Sequence, residues 1–145
     1  MTRINASIPP KNLCNTHLFS EYRELKRIPN TIKNNKAVVK NIPSVFSLGE
    51  GSVKWYYTRL KYLHKRNNAL YEELLLRGFN VTDYSDAFKD LPEHLYNDWD
   101  DSSPKVRKIV SERIKERLLG MKPKDLKYYG EQKTAEELIE ILNYG

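Results

Sequence analysis

The stretch VKWYYTRLKYLHKRNNALYEELLLRGF, residues 53–79, decides the fold class. Tyr56, Leu60, Leu63, Leu70 and Leu74 recur at the spacing of one helical face, and Gly78 follows the last apolar turn as a stop signal. Lys54, Lys61 and Lys65 take the opposite face. The pattern predicts a long amphipathic helix whose apolar stripe must be covered by other helices.

Such helices lie on both sides of it. After Pro9-Pro10, residues 11–36 are largely helix-compatible, with Leu13, His17, Leu18, Tyr22 and Leu25 as the apolar stripe and Pro29 as an interruption. The segment IPSVFSLGEGS, residues 42–52, carries Pro43, Gly49 and Gly51 and reads as an irregular connection. Its Gly-Glu-Gly lacks the preceding strand, third glycine and acidic ribose ligand of a dinucleotide site, and reads instead as a loop that caps the next helix. Residues 80–103 are punctuated by aspartates and predict only short helical turns. A third helix starts with Ser103 as N-cap and Pro104 at the first position, its inner face being Val106, Ile109, Val110, Ile114 and Leu118. Thr134 and Glu137 have capping-box spacing ahead of Leu138, Ile141 and Leu142. Periodic strands and internal repeats are missing. The expectation is all-α: a single compact domain of three main helices with long irregular connections, plus a short C-terminal helix. Its body spans 1–130, with 131–145 an extension packed on the same domain.

At 145 residues the chain fits one domain with a real core. Its 25 lysines and arginines outnumber 19 acidic residues, a net charge of +6 that favours a polyanionic partner. Cys14 is the only cysteine, so no intramolecular disulfide can form, and with three scattered histidines it makes no zinc spacing. No apolar run approaches the roughly 20 residues that span a bilayer, and the N-terminus lacks a signal core. An intracellular protein without a structural metal is expected, neither secreted nor membrane-bound.

Arginine placement narrows the partner. Arg23 and Arg27 lie four apart on the first helix, and Arg113 and Arg117 four apart on the third. Each pair repels itself mildly unless an anion is present, and a phosphate backbone would relieve that repulsion. Salt bridges to Glu21, Glu24, Glu112 and Glu116 are the alternative. Tyr128 and Tyr129, in the lysine-rich segment MKPKDLKYYG, are the best candidates for stacking on bases.

Conventional nucleophiles are scarce. Cys14 and His17 are three apart, but nothing nearby orients the histidine, and a packed cysteine fits better. Serine-hydrolase, zinc-protease and P-loop strings are absent. The N-terminus offers another route. Removal of Met1 ahead of the small Thr2 would expose an α-amine with a pKa near 7.8, neutral in about one molecule in seven at pH 7. A lysine is neutral less than about once in a thousand. Arginines nearby would disfavour the protonated amine further, and such an amine attacks carbonyl-like carbons to form Schiff bases. Glu24, among arginines, could stabilise positive charge on a sugar or shuttle protons.

The strings MTRIN (1–5), HLFSEYRELKR (17–27), SLGEGSVKWYYTRLKYLHKR (47–66), LLRGFN (75–80) and LKYYG (126–130) together resemble the pyrimidine-dimer DNA glycosylases and abasic-site lyases of phages and algal viruses, historically called endonuclease V. The resemblance implies a monomeric all-α domain acting on duplex DNA that carries a pyrimidine dimer or an abasic site, with no metal, cofactor or obligate protein partner. By the same resemblance Thr2 would be the attacking amine and Glu24 the stabilising carboxylate. Arg3, Arg23 and Arg27 would grip the lesion and its flanking phosphates, and Arg113 and Arg117 further phosphates. Departures are a one-residue insertion between Asn5 and His17, Thr16 in place of a glutamine that approaches DNA, Ser52 in place of a histidine, and Asp125 in place of an aromatic. Thr16 and Ser52 are therefore where a different lesion preference would be written. Two alternatives stand beside this reading: the same chemistry on another damaged or modified base, and a non-catalytic DNA-binding module.

Overall fold

The computed structural model describes residues 2–49 and 51–144; Met1, Glu50 and Gly145, and with them the fate of Met1 and the middle of Gly-Glu-Gly, lie outside the described residues. Five α-helices carry the fold: α1 (Asn15–Leu25), α2 (Arg27–Lys33), α3 (Leu60–Leu76), α4 (Pro104–Gly120) and α5 (Ala135–Leu142). Short 3-10 turns punctuate the connections, at Ser85–Phe88 and Glu93–Leu95 among others. The all-α expectation holds.

Helix α1 lies on α3, burying Leu18, Tyr22 and Leu25 against Leu60, Leu63, Leu70 and Leu74. The stop at Gly78 is a Schellman closure: Gly78 adopts φ 89°, its N–H donates to Leu75 O, and that of Phe79 donates to Leu74 O. Phe79 then meets Phe19 of α1 edge-on at 4.6 Å. Gly51, with φ 78°, precedes the turn Ser52–Thr58, so the glycine loop caps a helical turn as its sequence predicts.

Three boundaries differ from the sequence reading, each for a local reason. The first helical region divides at Lys26, between α1 and α2. Pro29 has no N–H to return to the carbonyl of Leu25, and its ring crowds that carbonyl. The predicted helix over 53–79 begins instead at Leu60, after the 3-10 turn Ser52–Thr58. Trp55 packs with Phe46 and Trp99, and the Arg59 guanidinium stacks 3.5 Å above its ring while donating to its carbonyl at 2.7 Å. Asn97 O accepts from the N–H groups of Lys61 and Tyr62, doing what a preceding helical turn would have done. The third difference is a two-residue ladder, β1 (Lys127–Tyr128) against β2 (Glu131–Gln132), where no strand is predicted.

At the start of α4, Ser103 and Pro104 occupy the predicted positions, although the Ser103 side chain makes no capping bond. The capping box of α5 is complete: Glu137 N donates to Thr134 Oγ1 at 3.1 Å, and Thr134 N to Glu137 Oε1 at 3.0 Å. Helix α5 buries Leu138 and Leu142 against α4, and Leu142 O at its end and Tyr144 O just beyond it accept from Asn12 Nδ2. If 131–145 folds as one cooperative unit with the rest, Leu138→Ala should lower the unfolding free energy by about 2–5 kcal/mol. Urea denaturation followed by both tryptophan fluorescence and circular dichroism should show this as one coincident transition shifted to lower denaturant.

Candidate active site

Residues 3–5 run antiparallel along α1. Arg3 N donates to Glu24 Oε1 at 3.1 Å, and one helical turn back Asn5 Nδ2 donates to Glu21 Oε1 at 3.0 Å. Glu21 and Glu24 share a helix face by their i, i+3 spacing, so one face of α1 receives both the Arg3 N–H and the Asn5 amide.

Glu21 is itself held from α3. Arg66 reaches it with Nε at 2.7 Å and Nη2 at 3.0 Å, and its Nη1 donates to Ile8 O at 2.7 Å. Both side chains are buried. Burial works against the Arg66 charge, but the carboxylate outweighs it and raises the guanidinium pKa above its ordinary value. From α4, Arg113 Nη2 donates to Ile4 O at 2.9 Å and to Asn5 Oδ1 at 3.0 Å. Asp101 accepts from Ser7 N at 2.7 Å and from the Tyr62 hydroxyl.

The Thr2 nitrogen is one residue from Arg3 N, at most about 3.6 Å of chain, which places it within about 7 Å of the Glu24 carboxylate. Thr2, Arg3, Glu24 and Arg117 are all half-buried. Burial lowers the Arg117 pKa, Arg3 lowers it further, and Glu24 pulls it back, so these three charges share one field. His17 of α1 sits beside them, 2 % exposed, with neither ring nitrogen hydrogen-bonded among the described residues. Burial first, then Arg117, Arg113 and Arg3, press its pKa down from 6.5 to about 4, so the ring is neutral at pH 7.

The arginine pairs do not take the salt-bridging alternative: Arg23, Arg27, Arg113 and Arg117 make no ion pair among the described residues. Arg23 and Arg27 are exposed. Arg113, expected to face phosphates, instead turns inward onto the N-terminal segment, because Ile4 O and Asn5 Oδ1 offer it acceptors there. Tyr128 and Tyr129 are also tied down. Their hydroxyls donate to Lys11 O and to Glu73 Oε2, and the Arg77 guanidinium lies 4.8 Å from each ring. Thr16 is exposed, its hydroxyl donating to Asp125 O at 3.2 Å, and Ser52 opens the turn after Gly51. Neither makes a hydrogen bond to Glu24 among the described residues.

A family model described as pyrimidine dimer DNA glycosylase matches residues 1–86, which hold the N-terminal segment, Glu24 and α1 to α3. The chain belongs to that family. As a pyrimidine dimer DNA glycosylase it is a DNA repair enzyme with DNA as substrate, and the matched residues contain the Thr2–Glu24 neighbourhood except Asp101 and what α4 contributes. No helix among the described residues is long and apolar enough to cross a membrane.

Asn5, Arg66 and Asp101 are residues of the candidate site that sequence reasoning did not single out, and Glu21 entered it only as a salt-bridge partner for the arginines. A signal existed for two of them. Glu21 falls between Leu18 and Leu25 in the apolar stripe of α1, and Arg66 between Leu63 and Leu70 in that of α3. A charge in an apolar stripe needs a buried partner.

The His17 shift has a pH consequence. A folded-state pKa near 4 against 6.5 unfolded means its contribution to stability is complete above pH 6.5 and is lost as pH falls towards 4. The full loss is up to about 3 kcal/mol. Urea midpoints measured from pH 7.5 to 5 should fall with pH in the wild type, and His17→Phe should flatten that slope.

Proposed function

We propose that this glycosylase is bifunctional, cleaving the glycosidic bond of the 5′ nucleotide of a cis-syn cyclobutane pyrimidine dimer in duplex DNA and then nicking the strand as an abasic-site lyase. The nucleophile is the α-amine of Thr2, exposed by removal of Met1. The observation that carries this reading is the bond from Arg3 N to Glu24 Oε1, which fastens the amine-bearing end of the chain beside a carboxylate.

In the first step the amine nitrogen forms a bond to C1′ as the bond from C1′ to the base nitrogen breaks, and the base leaves with that electron pair. Positive charge develops on the sugar, and the Glu24 carboxylate, half-buried and close to C1′ in this arrangement, stabilises it. Ring opening yields a protonated imine between Thr2 and C1′. Loss of a C2′ proton, which Glu24 is placed to take, then expels the 3′ phosphate by breaking the C3′–O bond. Water hydrolyses the imine and frees the amine. Arg3 and Arg117 flank this point and would hold the phosphates of the lesion, while exposed Arg23 and Arg27 extend the cationic surface along α1 and α2.

The bonds of Arg113 to Ile4 O and Asn5 support a role in holding the segment that bears the amine, and the anchoring of Tyr128 and Tyr129 supports a fixed wall rather than mobile stacking arms. Lesion recognition then rests on deformation: a dimer weakens the local stack, so kinking the duplex and extruding a nucleotide is easiest there. One chain supplies every group named, so a monomer suffices.

Borohydride reduction during reaction with dimer-containing duplex should trap a covalent adduct that peptide mapping places at Thr2. No adduct from protein shown by mass spectrometry to lack Met1 would sink the mechanism. Glu24→Gln should lower nicking by at least about 100-fold while lesion binding, measured by fluorescence anisotropy, stays within about threefold of wild type.

A further inference from the structure

We infer that Asn5 is a positioning residue for the Thr2 amine, an amide pin that sets the register of the N-terminal segment against Glu24. The inference rests on the amine mechanism proposed above and deepens it.

Asn5 is 3 % exposed and uses both ends of its amide. Nδ2 donates to Glu21 Oε1 and Oδ1 accepts from Arg113 Nη2, each at 3.0 Å. One neighbour is an anion that can only accept and the other a cation that can only donate. Among side chains of this size only an amide satisfies both: an aspartate would set a second carboxylate against Glu21, and a leucine would satisfy neither. The pin joins three elements, because Glu21 is on α1, its partner Arg66 on α3 and Arg113 on α4.

The register matters because of what lies two residues away. Without the Asn5 bridge the segment is freer to shift along α1 while Ile4 stays in the core, and Arg3 N, with the amine beside it, is held less closely on Glu24. Nucleophilic attack tolerates misplacement of only about 1 Å before losing about 100-fold in rate.

Asn5 also differs from a residue needed simply for folding. Arg66 binds Glu21 through two nitrogens without help from Asn5, and holds Ile8 O with a third. Removing the amide therefore leaves Glu21 paired, and Ile4, Ala6 and Ile8 still have their places in the core. What is lost is the bridge from Asn5 to Glu21 and Arg113, leaving residues 2–5 held along α1 only by Arg113 on Ile4 O and Arg3 N on Glu24.

The test uses full-length protein verified to lack Met1 and duplex carrying one abasic site, with borohydride trapping followed in single turnover. Two quantities are read, the trapping rate per active molecule and the amplitude that counts active molecules. Asn5→Ala should lower the rate 10- to 100-fold, with amplitude within twofold and abasic-duplex affinity within threefold of wild type. Asn5→Asp should slow it at least as much. A wild-type rate in either variant overturns the inference, as does a fall in amplitude at unchanged rate. Failure of both variants to fold, judged by circular dichroism, also overturns it, since Asn5 would then serve stability. Wild-type protein that traps nothing overturns the amine mechanism itself and this inference with it.

Discussion

The buried pair of Glu21 and Arg66 is the constraint on which the rest of the site depends. Neither charge reaches water, and a buried ion left without its partner costs about 3–5 kcal/mol, so α1 and α3 pack in the one arrangement that brings the two together. The pair leaves polar capacity over. Arg66 has a third donor, which takes Ile8 O, and Glu21 accepts from Asn5. A contact that fixes two helices therefore also fixes the N-terminal segment lying across them.

A second arginine–carboxylate pair does the same at the other end of α3. Arg77 binds Glu73 at 2.7 Å and Asn15 Oδ1 at 2.9 Å, and Asn15 in turn accepts from Tyr129 N and donates to Tyr129 O. The Tyr129 hydroxyl closes the loop on Glu73. These bonds hold Tyr129 at φ 55°, a left-handed conformation that costs a bulky residue about 1–3 kcal/mol. One pair thus anchors the N-terminal segment and the other anchors the β1–β2 turn.

Between the anchors the charges are left deliberately unequal in their effects. Arg3 and Arg117 repel each other near Glu24, and His17 stays neutral because a proton there would be buried among cations. A phosphate brought between them would relieve that repulsion. The same field would disfavour the protonated form of an amine at Thr2, which is the form that cannot attack.

Much of the fold was legible in the sequence. The stripes of α1, α3 and α4, the stop at Gly78 and the capping box of α5 are local signals, written in spacings of three and four residues and in single residues whose backbone needs are specific. The division at Lys26 was half legible through Pro29, but the late start of α3 was not, because it depends on Asn97 O arriving from far along the chain to meet Lys61 and Tyr62. At the site, the sequence pointed to Thr2, Arg3 and Glu24 as reactive types, and it could show that Glu21 and Arg66 sat in apolar stripes. It could not show that they meet, nor that Asn5 bridges them to Arg113. Periodicity tells which face of a helix is buried, but not against what. The partner of a buried polar group is set by how helices distant in sequence are packed, and that was decided only by the tertiary structure.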